Sequence, residues 1–508
     1  MPRRSLSLAA AALLFLSAFR AGPLAAQITA DEYASRRAAL AAALPSDGVV
    51  LALGGEEPPE DFLSFWQRPN FLYLTGLREP SAAMVLVRRG GRTATTLYVQ
   101  PRDPAREVWT GSRLGPDGAA ALTGAGARLR GELEPALDSL LGGGLPLYVA
   151  GGLSAVARED VPPTVEDLLV ARLKKRHRAL RVASVAGQLT AMRGRKSEAE
   201  LALIGKAVAI TVDAQRAAMA AVRPGMNEFE LQALIEYTFR RNGADRPSFA
   251  TIVGSGPNAT TLHYNADDRF MEDGDMVVMD VGASYRGYAA DVTRSVPVNG
   301  RFTPEQRAVY QLVRDAQASA ERQATLGATK QLLADSAAAV IAAGLAKLGL
   351  IEAADATYDC AEGGGAERCP QYRMFYMHGL GHGIGLEVHD PDQYDRSRIA
   401  PGSAFTIEPG VYVRANLLQI LPDTPRNRAM IARIRPAVER YRNVAVRIED
   451  DYVATERGVE WISRAPRELA EVEALLASPR TDGIAARDSA KVQWYRATEA
   501  GRSDRGGH

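Results

Sequence analysis

Four carboxylates stand inside runs that otherwise read as buried strand: Asp280 in MVVMDVG, Asp291 in YAADVTRSV, Glu408 in AFTIEPGVYV and Glu449 in VAVRIEDDYV. A buried charge without a partner costs many kcal/mol or neutralises itself by shifting its pKa. One such residue would be read as a strand end facing water. Four of them, in one chain, require a common cause.

The stretch Tyr376–Asp390, YMHGLGHGIGLEVHD, supplies a fifth group. It carries His378, His382 and His389, three of the six histidines in the chain. The four-residue spacing of His378 and His382 is that of a metal-binding helix face, but a zincin helix reads HExxH and here Gly379 follows the first histidine. Glycines at 379, 381, 383 and 385 would each cost a helix about 1 kcal/mol relative to alanine. The segment is therefore expected to be extended chain or loop, where glycine lets backbone approach its surroundings closely. If His382 joins the four carboxylates, the set carries about −4, which two divalent cations balance, and oxygen-rich ligation suits manganese better than a thiolate-seeking metal. Paired ions of this kind polarise a carbonyl and activate water, which is hydrolase chemistry.

The rest of the chain sets the context. Its 508 residues, 46% hydrophobic and 24% charged, are ordinary for a globular protein of two or three domains, and a net charge of +1 gives no reason to expect a nucleic-acid partner. Residues 1–26 have two arginines ahead of an apolar run from Leu6 to Phe19 and then small residues up to Ala26, the pattern of a cleavable secretory signal. The run falls short of the ~20 apolar residues that span a bilayer, so no stable membrane anchor is expected. Arg3-Arg4 reads as an ordinary n-region rather than a twin-arginine signal, and losing Arg3, Arg4 and Arg20 takes the charge from +1 to −2. The protein is expected in the periplasm or outside the cell. Cys360 and Cys369, nine apart, are then expected to form a small disulfide loop, with two free thiols or a metal pair as the alternatives.

Residues 28–185 alternate strand-like runs (Gly48–Leu53, Ala83–Val87, Thr96–Val99, Leu145–Val149) with helical stretches, an α/β domain. A boundary follows at TAMRGRKSEAELALIGKA, where Ser197 and Glu200 form a capping box, and Asn227 with Glu230 opens the next helix. MVVMDVGASYRGYAADVTRSVPV reads as a hairpin. Helices then run from Thr303 to about Leu350 and strand-like segments from Met374 to Thr455. Helices-then-strands thus occurs twice, which suggests two similar halves around a shared sheet. The long stretch between Tyr412 and Asn443 is expected to project from the surface, and its 414–436 part is a candidate cap over the site. Residues 479–508 read as a polar, disordered tail.

The words DVG, ADVTR, HGLGHGIGLEVHD, IEPGVY and RIEDD together resemble the metal-dependent "pita-bread" peptidases of family M24 over residues 192–465. The resemblance implies a pita-bread (creatinase/aminopeptidase) catalytic fold of the α+β kind. It implies that Asp280, Asp291, His382, Glu408 and Glu449 hold two metal ions, Asp291 and Glu449 bridging. Manganese is usual, and cobalt or zinc can serve. It further implies that His263, in IVGSGPNATTLHY, and His378 face the substrate, and that His389 stabilises the tetrahedral intermediate. Glu408 would act as general base, and Arg447 would support the site. His177 and His508 fall outside every motif. The words DFLSFWQRPNFLYLTGLREPSAAMVLV and PRDPAREVWTGSRLGPDGA resemble the N-terminal domain of the aminopeptidase P branch, in which a tryptophan at the place of Trp109 reaches a neighbouring subunit's active site. The implied activity is release of an N-terminal residue from peptides with proline second, by a homodimer or homotetramer. A dipeptide-specific prolidase is the alternative, and a non-catalytic binding module the remote one.

Overall fold

A computed structural model describes residues 28–60, 63–151, 162–361, 367–396 and 398–478. The expected secretory signal and the expected polar tail, with His508, lie outside the described residues. Among those described, no helix is long and apolar enough to cross a membrane.

The N-terminal α/β domain is built on a six-stranded mixed sheet, in the spatial order Gly126–Leu129, Arg92–Val99, Ala83–Arg89, Gly48–Leu53, Leu147–Val149, Val182–Ser184. The central strand, GVVLAL, is buried on both faces, which is why it reads as a continuous apolar run rather than an alternation. Val49, Leu51 and Leu53 enter a core with Leu137, Leu141, Leu169 and Leu173. Val50 and Ala52 enter a second core, which also contains Ile204 and Val208 of the next domain and Ile384 and Leu386 of the glycine-histidine segment. The N-terminal domain is therefore packed against the back of that segment. The short helix Ala186–Arg193 precedes the expected boundary.

The catalytic part opens where the capping signals put it. Ser197 Oγ accepts from Glu200 N–H, and the Glu200 carboxylate accepts from Ser197 N–H, at the start of the helix Glu198–Ala221. Asn227 and Glu230 do the same for Glu228–Arg241. The expected hairpin forms: Met276–Val281 pairs antiparallel with Val292–Pro297, with Thr293 opposite Asp280. Helices Pro304–Gln323 and Lys330–Lys347 follow, then the strands Ala404–Ile407, Gly410–Tyr412, Ala445–Arg447 and Asp450–Thr455.

Among the described residues the two halves do not share one hydrogen-bonded sheet; the first has two three-stranded ladders and the second one, and the Gly410–Tyr412 and Ala445–Arg447 pair is separate again. They are stitched at one seam instead. Glu449 N–H donates to Thr293 O at 3.1 Å, and Ser295 Oγ bridges the carbonyl and the N–H of Arg447, at 2.9 Å each.

The expectation of a projecting insertion is corrected. Pro425–Arg440 is a helix, capped by Thr424, whose Met430, Ile434 and Val438 are buried in the main core. Its apolar residues fall at i, i+4 and i+8, a face that must be covered. No residue of 414–443 lines the cavity that holds the carboxylates, so the cap reading has no geometric support. Cys360 and Cys369 form the expected disulfide, with Cα atoms 5.8 Å apart.

Replacing Ile434 with alanine should destabilise the protein by about 2–5 kcal/mol, the range for truncating a packed core residue. Arg435→Ala, on the exposed face of the same helix, should move the unfolding midpoint little. Equal, small effects in thermal denaturation would return the helix to the status of an appendage.

Candidate active site

The glycine-histidine segment is extended, as its glycines require, and it lies antiparallel to the strand Ala404–Ile407. Glu408 N–H donates to Leu380 O, Thr406 N–H to His382 O and Ile384 N–H to Ala404 O, at 2.8–2.9 Å. This zipper places His382 beside Glu408. It also explains two glycines. A Cβ on Gly381 would lie 2.1 Å from Thr406 O, and one on Gly383 would lie 2.4 Å from Asp390 O. The close approach is thus to the chain's own backbone. Gly379 differs, since a Cβ there would meet nothing within 4 Å, and it lines the cavity.

His382 is aimed by its own backbone. Its Nδ1 lies 3.1 Å from Gly383 O, a donor contact that leaves the Nε2 lone pair facing inward. That Nε2 is 3.4 Å from Asp291 Oδ2, 3.5 Å from Glu408 Oε1 and 3.9 Å from Glu449 Oε1. Asp280 reaches the same place from the strand beside Asp291. All five expected ligand residues line one cavity of about 450 Å³, together with His263, His378, His389 and Arg447. His389 lies at its mouth, its ring centroid 4.2 Å from that of His382. His177 lies far from it in sequence and fold, bonded to Asp138 at 2.8 Å.

Arg447 is buried and holds one side of the cavity. It donates to Asp280 Oδ2 at 2.6 Å, to Leu262 O at 3.1 Å and to Tyr412 Oη at 3.0 Å. The Tyr412 hydroxyl can then donate to His378 Nε2 at 2.8 Å, while His378 Nδ1 donates to Gly379 O, also at 2.8 Å. Burial, with Arg447 close by, pushes the His378 pKa down to about 3, so this ring is neutral and its hydrogen bonds have one direction.

Two contributors escaped the sequence reading. Thr293 donates to Glu449 Oε2 at 2.7 Å, fixing that carboxylate, and Tyr412 joins Arg447 to His378. Thr293 follows Asp291 at i+2, so it lies on the same strand face, a signal that period-two alternation carries. Tyr412 gave no such signal, because its role depends on a partner 35 residues away.

The electrostatics favour bound cations. Burial, then the neighbouring Glu449 and Asp280, raises the Asp291 pKa well above the ordinary carboxylate value. Burial and Glu408 do the same for Glu449, and burial lifts Glu408 to about 8. Asp280 Oδ1, Asp291 Oδ1 and Glu449 Oε1 are buried with no hydrogen-bond partner. Orphaned buried carboxylate oxygens converging with an imidazole nitrogen are what divalent-ion ligation satisfies. The nearest ligand atoms of Asp291, His382 and Glu449 already lie within 4.8 Å of one another. The donor set therefore fits divalent metal.

The class follows from comparison with known proteins. Residues 202–456 match the model of metallopeptidase family M24, and residues 33–145 match that of the aminopeptidase P N-terminal domain. The chain belongs to metallopeptidase family M24. Within the family, it is 34% identical to the Xaa-Pro aminopeptidase of Escherichia coli (strain K12), over 89% of this chain and 99% of that one. It is 32% identical to the Xaa-Pro aminopeptidase of Haemophilus influenzae, over 89% and 98%. Among solved structures, aminopeptidase PepP of Pseudomonas aeruginosa superposes with a TM-score of 0.74 at 34% identity, covering 89% of this chain and 99% of that one. An Escherichia coli aminopeptidase P in complex with substrate gives the same TM-score at 32% identity, over 89% and 98%. The two-domain architecture read from the sequence is thus that of aminopeptidase P.

Stripping the metal should make stability depend on pH in a definite sense. Carboxyl groups whose folded pKa is raised stabilise the fold when protonated. That contribution is present below the unfolded value, 4.5 for Glu408, and is lost as pH rises through the folded value of about 8. Chelator-treated protein should therefore melt at progressively lower temperature from about pH 5 to about pH 8. Metal-supplied protein should not, because bound cations keep the carboxylates ionised. Parallel melting curves with and without chelator would contradict the assignment.

Proposed function

We propose that this protein is an exported, dinuclear-metal Xaa-Pro aminopeptidase, hydrolysing the bond between an N-terminal residue and a penultimate proline. The observation that carries the reading is the convergence of Asp280, Asp291, His382, Glu408 and Glu449 on one cavity with three carboxylate oxygens left orphaned. The names of its relatives support the substrate class. Proline has no N–H and a fixed φ, so a peptide bond before it needs a dedicated site.

Those five residues would hold two divalent ions, most simply manganese given four carboxylates and no thiolate, with cobalt or zinc as substitutes. When bound, the ions supply Lewis acidity toward the scissile carbonyl and lower the pKa of water at the site. The chain's own residues do the rest. Glu408, kept ionised by the bound cations, takes the proton from the attacking water and returns it to the departing proline nitrogen. His389, at the cavity mouth, donates to the oxygen on which negative charge develops. His263 and the neutral His378 face the bound peptide. Arg447 fixes Asp280 and Tyr412, and so indirectly His378. Retention of every ligand argues against a non-catalytic binding module, in which buried carboxylates would serve no purpose.

Export rests on the signal in residues 1–26 and is supported by the disulfide. A mature N-terminus at Gln27 in the periplasmic or secreted fraction would establish it. An oligomeric enzyme is supported by Trp109, which is 76% exposed on a helix with no buried residue.

Ala-Pro and Ala-Pro-Ala-Ala, assayed side by side with manganese, separate the candidates. The longer peptide should release alanine, and Glu408→Ala should lower kcat by a factor on the order of 10²–10⁴. Cleavage of the dipeptide alone would make the enzyme a prolidase. No cleavage, or an unimpaired variant, would sink the peptidase reading.

A further inference from the structure

A second cavity, of about 360 Å³, lies beside the catalytic one, between the two domains. Two chain segments run from one into the other. Arg246 and Ser248 line the second cavity, and Phe249, Ala250 and Ile252 line the catalytic one. Likewise Leu386 and Glu387 line the second, His389 lines the catalytic one, and Val388 lines both. The two spaces therefore adjoin at Val388. The N-terminal domain closes the far wall with Phe65, Trp66 and Pro69.

The wall carries four charged side chains, Arg78, Asp245, Arg246 and Glu387. Three are used internally. Arg78 lies 3.3 Å from Asp245, and Glu387 lies 2.6 Å from Arg193. Arg246 has no carboxylate in ion-pair range among the described residues. It lies over Trp66, its guanidinium carbon 4.5 Å from the ring centroid. A stacked guanidinium keeps its N–H edge free for a planar anion, and stacking pre-organises it.

We propose that this cleft is an extended subsite for the part of the substrate beyond proline, in which Arg246, seated on Trp66, binds the C-terminal carboxylate of a short peptide. The inference rests on the aminopeptidase reading above and adds a preference for short oligopeptides of defined length. The distances permit it. Arg246 and Phe249 are three positions apart, at most about 11 Å of chain, which an extended substrate covers with about three residues. The cleft is set by the packing of the two domains, so the N-terminal domain would act as a ruler on substrate length.

A series from Ala-Pro-Ala to Ala-Pro followed by four alanines, each as free acid and as C-terminal amide, tests this. Wild type should prefer the acid over the amide at one length, about fivefold in KM, the scale of a partly exposed ion pair. Tripeptide acid and amide should be cut alike. Arg246→Ala should abolish the preference without changing tripeptide turnover, Arg246→Lys should keep part of it, and Trp66→Ala should weaken it. Arg246 is exposed, so its loss is not expected to disturb folding; an unchanged melting curve confirms that. Equal KM for acid and amide at every length, or a preference that survives Arg246→Ala, overturns the subsite while leaving the peptidase reading intact. Failure of wild type to cut any peptide overturns both.

Discussion

The crowding of four carboxylates in one cavity, three of them buried and Glu408 half-buried, is the constraint on which the rest of the molecule depends. Asp280 and Asp291 come from one half of the catalytic domain, Glu408 and Glu449 from the other, and the fold brings them into one cavity. Without compensation this is an unstable arrangement: burial first, and the neighbouring carboxylates after it, raise the pKa values of Asp291, Glu408 and Glu449. Divalent cations turn the same crowding into binding energy. Metal affinity and fold stability are then one quantity seen from two sides.

The supporting structure can be understood as what holds these groups still. The Glu449 carboxylate is fixed by Thr293 across the seam between the halves, and its N–H by the Thr293 carbonyl. Arg447 is buried against the cluster as a fixed cation, and it directs its donors to Asp280, Tyr412 and a backbone carbonyl. The glycine-histidine segment is clamped from behind as well. Arg193 donates to Glu387 and Asp390 of that segment and to Asn70 of the N-terminal domain, and Lys196 donates to Pro391 O at 2.6 Å. The domain boundary therefore also braces the loop that carries His382 and His389. Precise ligand placement demands such locked neighbours.

Much of this was legible beforehand because the signals were local. Capping boxes at Ser197 and Asn227 depend on residues three apart, and the hairpin from Met276 to Pro297 on alternation within a short span. The ligand residues stood out because a carboxylate inside an apolar strand conflicts with its surroundings, and such conflicts mark functional sites. The insertion before Glu449 was misjudged for the complementary reason. Its length suggested a surface excursion, yet Met430, Ile434 and Val438 cover apolar surface contributed by distant helices. The glycines signalled an extended segment in close approach to its surroundings, but only the fold shows that Gly381 and Gly383 press on the carbonyls of Thr406 and Asp390.

By itself the sequence determined which groups must meet and what chemistry they can do, since residue type fixes charge, donor capacity and backbone freedom. Four carboxylates and an imidazole in apolar surroundings call for cations in any fold that buries them. Only the tertiary structure decided the hydrogen-bond partners of each group: Thr293 on Glu449, Tyr412 between Arg447 and His378, Gly383 O orienting His382. It alone opened the cleft beside Val388, where Arg246 lies unpaired among the described residues on a tryptophan 180 positions earlier. Such relations depend on distances between residues far apart in the chain. No local pattern encodes them, because they are set by how two domains and two half-domains pack.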